Sequence, residues 1–146
     1  METRLEKIKF VIWFVVLYSV LLTIGLKLIG KMLIKIDVWI IERVLGNIIN
    51  YNSFVFVPEC SGVVAISAYL AIVIALMITK YRLNWKCIIG SMIILGIWNL
   101  IRIIIVVYSE KISFSLAKVL HVVFWFITGI IIMLLAIKSL KKKKNK

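Results

Sequence analysis

Acidic side chains are scarce in this chain: six Asp and Glu stand against nineteen Lys and Arg in 146 residues, a formal net charge of +13. Proline occurs once (Pro58), histidine once (His121) and cysteine twice (Cys60 and Cys87). Each shortage removes a class of protein. Two cysteines with no C-x-x-C pair leave no thiol-redox motif. One histidine and two cysteines cannot close a metal site when the cysteines flank a single apolar span and so lie at opposite membrane faces, and nothing else calls for a cofactor. That separation, about 30 Å of hydrocarbon, also keeps the cysteines from pairing, because a disulfide needs Cα atoms within about 7 Å. No small-residue cleavage site follows the first apolar run, so that run reads as a retained anchor.

Apolar surface is what the chain has in abundance. Hydrophobic residues make up 64% of it, and charged residues only 17%. This balance excludes an ordinary soluble domain and points to an integral membrane protein. Nucleic-acid binding would need the basic residues spread over a folded polar face. Instead they cluster between apolar runs and in the tail Lys138 to Lys146, the distribution that membrane topology and anionic lipid headgroups produce, so no nucleic-acid partner is expected.

The expected fold is therefore all-α, a single polytopic membrane domain over residues 1–146. Four segments are apolar enough to cross a core that takes roughly 20 helical residues. They are about residues 10–30, 61–79, 87–108 and 118–138. Basic flanks before the first span (Arg4, Lys7, Lys9), between the second and third (Lys80, Arg82, Lys86) and after the fourth fall on one side. The positive-inside bias makes that side the cytoplasm, so both termini are cytoplasmic in a multi-pass protein of the cell membrane. The connections 31–61 and 109–118 then face outward. Within the first, polar Lys31, Lys35, Glu42, Arg43 and Asn47 alternate at helical spacing with Ile36, Ile40, Val44 and Ile48. This predicts an outward amphipathic helix over about 31–50, with Asp37 the exception on its apolar side. "YNSFVFV" then reads as an extended segment, and Pro58 suits the opening of a helix beginning near Glu59 or Cys60. Gly90, Gly96 and Gly129 read as packing contacts.

Three reactive side chains share one depth in this topology. Cys60 stands in the first turn of the second span, Arg102 about six residues, or roughly 9 Å, below the outer end of the third, and His121 in the first turn of the fourth. A thiol at a helix N-terminus beside a guanidinium favours thiolate, a nucleophile. A histidine in reach can take the thiol proton and return it to a leaving amine, and Arg102 can stabilise an oxyanion. An arginine inside a span costs about 2.5–3.5 kcal/mol, so it needs a partner or a role. Asn99, on the same helical face as Arg102, is either interhelical hydrogen-bond glue or a support for Arg102 or substrate. Glu59 is either an acid favoured by the helix dipole or a partner of Arg102, and Ser61 and Gly62 leave space beside the thiol.

"ECSGV" at 59–63, "NLIRI" at 99–103 and His121 opening the next span together resemble the exosortase and archaeosortase family. Its pattern is a cysteine followed by Ser or Ala and Gly, then Asn-x-x-Arg, then histidine, near the outer ends of successive helices. The match runs from Val57 to Trp125. The resemblance implies a membrane-embedded cysteine transpeptidase or protease acting outside the cell membrane on the C-terminal sorting signal of exported proteins. The new C-terminus would pass to a lipid or glycan acceptor, or to water. By that likeness Cys60 is the nucleophile, His121 the acid or base, and Arg102 the oxyanion or thiolate stabiliser. Many members have more spans, so four would be close to a minimal catalytic core. The rival expectation is a non-catalytic small membrane subunit that uses Arg102 to pair with an acid on a partner helix.

Overall fold

The computed structural model describes residues 4–46, 62–79 and 81–142. The fold is almost entirely helical, in the order α1 (Arg4–Gly25), a π-helical turn (Leu26–Gly30), α2 (Lys31–Leu45), α3 (Val63–Thr79), β1 (Tyr81–Leu83), α4 (Trp85–Ile112), α5 (Phe114–Ser139) and β2 (Leu140–Lys142). Three helical runs are long and apolar enough to cross a membrane: Arg4–Val44, Trp85–Ile112 and Phe114–Ser139. The apolar stretch Val63–Ile78 is shorter.

α1 forms because nothing in it breaks a helix. The Ser19 and Thr23 hydroxyls are satisfied locally, Ser19 donating to the Val15 carbonyl and Thr23 to that of Ser19. Phe10, Phe14 and Tyr18 stack at one-turn spacing along it. The helix does not end where a separate amphipathic helix was expected to begin. It continues through the π-helical turn into α2, since neither Gly25 nor Gly30 leaves the helical region. The wider turn inserts a residue and resets the facing of α2. The inward stripe of α2 is correspondingly not the expected one. Asp37 and Ile41 are buried, whereas Ile36 and Val44 are exposed.

α3 is the shortest of the apolar helices and the most enclosed. Tyr69, Ala71, Val73 and Ala75 are wholly buried, with α1 packed along one side and α5 and α4 on others. The main core joins Ala65, Tyr69 and Val73 to Ile88 and Leu95 of α4 and to Ile132 and Ala136 of α5. A second cluster joins Ile41 of α2 to Ile103 and Val107 of α4. Close helix approach occurs at Gly25, where an added Cβ would stand 2.7 Å from Val63 Cγ1. At Gly90, Gly96 and Gly129 an added Cβ would meet nothing within 4 Å, so these glycines are not the packing contacts they were read to be. Gly129 is exposed, and Gly90 and Gly96 are half-buried.

One end of the bundle gathers the basic flanks. Glu6, Lys9 and Trp13 of α1 line a depression with Ile78 near the end of α3. β1 and β2 pair antiparallel, Tyr81 opposite Lys142 and Arg82 opposite Lys141, tying the α3–α4 link to the C-terminal tail. Polar side chains close this end from within: the Tyr69 hydroxyl lies 2.6 Å from Ser139 Oγ, and Ser91 Oγ lies 3.3 Å from the same atom. At the opposite end only Ser113, in extended conformation, separates α4 from α5. The expected outward connection 109–118 is therefore helical on both sides of one residue. Its polar side chains do not interrupt a helix, and it contains neither Gly nor Pro.

Candidate functional site

The site end is built outward from the start of α3. Gly62 has φ +78°, which a right-handed helix cannot accommodate, and its carbonyl accepts the first helical bond, from Ile66 at 3.0 Å. α3 accordingly begins at Val63, not at Glu59 or Cys60 as expected. Cys60 itself lies outside the described residues, as do Glu59, Ser61 and the extended segment "YNSFVFV". Gly62 sits tightly on α4. An added Cβ would meet Asn99 Cβ and Cγ at 3.2 Å and its Nδ2 at 3.3 Å. Position 62 thus requires glycine twice over, for its backbone angle and for the approach of Asn99.

Asn99 and Arg102, three residues apart, both lie on the buried face of α4, and Arg102 is only 3% exposed. The guanidinium stands over the Trp125 ring of α5, 4.6 Å from its centroid. Trp125 in turn donates its indole N–H to His121 Nε2 at 3.0 Å, one turn earlier on α5. Arg102 and His121 are therefore brought together through one indole, which neither motif includes. His121 sits about two turns into α5, not in its first turn, because the helix starts early at Phe114. One turn deeper, Trp98 of α4 bonds Thr128 Oγ1 at 2.9 Å and meets Phe124 edge-on at 5.8 Å, pinning α4 to α5 below the site.

This hydrogen bond specifies the state of the imidazole. An indole N–H only donates, so Nε2 accepts and carries no proton, and the neutral ring holds its proton on Nδ1. On the α2 side, Ile41 packs with Ile103 and Val107, the stretch of α4 that follows Arg102, and Asp37 lies one turn before Ile41. Asp37 is buried, and its Oδ2 has no hydrogen-bond partner among the described residues.

Of the residues expected at the site, Arg102, His121, Asn99 and Gly62 converge at one end of the bundle. Two others, Trp125 and Asp37, belong with them. Asp37 had a signal in the sequence, as the single charge on an apolar helical side. Trp125 had only its one-turn spacing from the sole histidine. Comparison of the chain with protein-family models, with characterised proteins and with solved structures finds no match.

Proposed function

We propose that the chain is a membrane-embedded cysteine transpeptidase or protease that cleaves a C-terminal sorting signal on exported proteins. The observation that carries this reading is the packing of Gly62 on Asn99, one turn from the buried Arg102. Cys60 is two residues from Gly62, and consecutive Cα atoms are about 3.8 Å apart, so chain connectivity holds its Cα within about 7.6 Å of that of Gly62. A thiol so tethered can reach the guanidinium end of the site. With the helix start at Val63, the stabilising charge for its thiolate is chiefly that of Arg102.

In the proposed reaction Cys60 gives its proton to His121 and its sulfur attacks the scissile carbonyl. The oxyanion forms beside Arg102, and the imidazolium returns a proton to the departing amine. The remaining thioester passes to an amine on a lipid or glycan, or to water. Accepting the thiol proton at Nε2 requires the Trp125 indole to let go. Four membrane-crossing helices, with both termini cytoplasmic and the site facing outward, complete the proposal. It is supported by the basic flanks at one end and the site residues at the other.

Comparing exported proteins in cells with and without the chain tests this reading. Proteins ending in a short motif, an apolar helix and a basic tail should accumulate uncleaved in its absence. Wild-type chain should restore cleavage, while inserted Cys60→Ala or Arg102→Ala should not. Normal processing by Cys60→Ala would remove the nucleophile and the proposal together. The rival, a non-catalytic subunit pairing through Arg102, needs that side chain on an outer face, and its burial beneath Trp125 speaks against it.

A further inference from the structure

Among the described residues Asp37 is the only buried acid, and the chemistry proposed for Cys60, Arg102 and His121 does not use it. It is 7% exposed, with Oδ2 lacking a hydrogen-bond partner among the described residues. An unpaired buried carboxylate oxygen is costly, so keeping one demands a compensating charge or donor close by. The packing of α2 supplies the candidate. Ile41, one turn after Asp37 on the same face, packs on Ile103 and Val107 of α4, which brings that face to the level of Arg102. Among the described residues, the groups bearing on the guanidinium come from two directions: Asp37 from α2, and His121 and the Trp125 ring from α5.

We propose that Asp37 is a positioning residue for Arg102: from the α2 side its carboxylate orients the guanidinium and offsets part of its charge, setting how strongly Arg102 favours a thiolate at Cys60. The inference rests on the reading of Cys60 as nucleophile and Arg102 as its stabiliser. Two anions then compete for one cation. The carboxylate holds the arginine in a site that is neutral while the thiol is protonated, and yields part of that charge when thiolate or oxyanion forms. Without Asp37, the full charge of Arg102 falls on the sulfur.

Four forms of the full chain in detergent test this, all carrying Cys87→Ala so that Cys60 is the only thiol: the parent, Asp37→Asn, Arg102→Gln and the double variant. The first readout is the melting midpoint. Each single variant should melt below the parent and the double variant should recover most of the loss, since it leaves no uncompensated buried charge. Simply additive losses would overturn the pairing. The second readout is the pH midpoint of Cys60 alkylation by iodoacetamide, which a purely structural pair would not move. Arg102→Gln should raise it, Asp37→Asn should lower it by about one unit, and Asp37→Asn should change nothing once Arg102 is gone. A midpoint moved by Arg102→Gln but not by Asp37→Asn overturns this inference and leaves the proposed function standing. A midpoint unmoved by Arg102→Gln overturns the thiolate-stabiliser reading and, with it, the role given to Asp37. Asp37→Glu, which keeps the charge if Asp37→Asn does not fold, should retain the parent midpoint; a displaced one counts against the proposal.

Discussion

A buried guanidinium is expensive, at about 2.5–3.5 kcal/mol for an arginine inside an apolar span. The Trp125 face returns part of that, about 2 kcal/mol where the pair is desolvated, and the Asp37 carboxylate supplies the opposite charge. A flat, delocalised cation is needed to lie on an indole while offering N–H groups at its edge, which lysine cannot do. Arg102→Lys should therefore lower substrate processing at least about tenfold, equivalent to about 1.4 kcal/mol, in protein that still inserts. A processing assay with a membrane-fraction blot checks it. Trp125 has two separable roles. Trp125→Phe keeps an aromatic face for Arg102 but deletes the N–H that occupies His121 Nε2. Diethylpyrocarbonate should then modify His121, the chain's only histidine, several-fold faster than in wild type, with little change in melting. Trp125→Ala should show the same faster modification together with a clear fall in melting midpoint. Equal modification rates in all three forms would mean that the indole does not hold the imidazole.

At the scale of elements, the site depends on where α3 starts, and two glycines set that. Gly25 lets α1 lie against Val63, the first residue of α3, and Gly62 lets the chain turn into α3 while touching Asn99. Gly25→Val should destabilise the chain by about 1–3 kcal/mol through overpacking, read as a lower melting midpoint, and Val63→Ala in the same chain should restore most of it. Gly62→Ala faces both a left-handed backbone angle and the Asn99 side chain, so it should lose processing as well as stability. α2 shows where sequence pattern stops being legible. Its helical period is plain in the sequence, yet the pattern assigns its inward side to Ile36, Ile40 and Val44, while Asp37 and Ile41 are what it buries. In water an apolar stripe marks the interior. Where the surroundings are apolar too, hydrophobic side chains lose that meaning, and the polar residue points inward because only the protein can satisfy it.

For the whole molecule, orientation is the quantity with the simplest test. The basic flanks lie at one end and Ser113 at the other. In a Cys60→Ala/Cys87→Ala background, a membrane-impermeant maleimide added to intact cells should label Ser113→Cys and should leave Lys86→Cys unlabelled until the cells are opened. Both positions are exposed, so burial does not confound the comparison. Labelling of Lys86→Cys from outside would invert the orientation and put the site residues at the cytoplasmic face. The β1–β2 ribbon ties the α3–α4 link to the C-terminal tail by backbone pairing, without any apolar pattern that could have announced it.

Composition and the apolar runs were enough to establish an almost wholly helical fold, the approximate limits of the last three apolar helices, and a shared end of the bundle for Arg102 and His121, because each depends on local residue type and distance along a helix. Contacts across helices obey no such rule. That Trp125 would lie between Arg102 and His121, that Asp37 would be buried, and that α3 would wait for Gly62 before beginning were decided by how the helices pack, since the rotation of each helix about its axis is set by its neighbours.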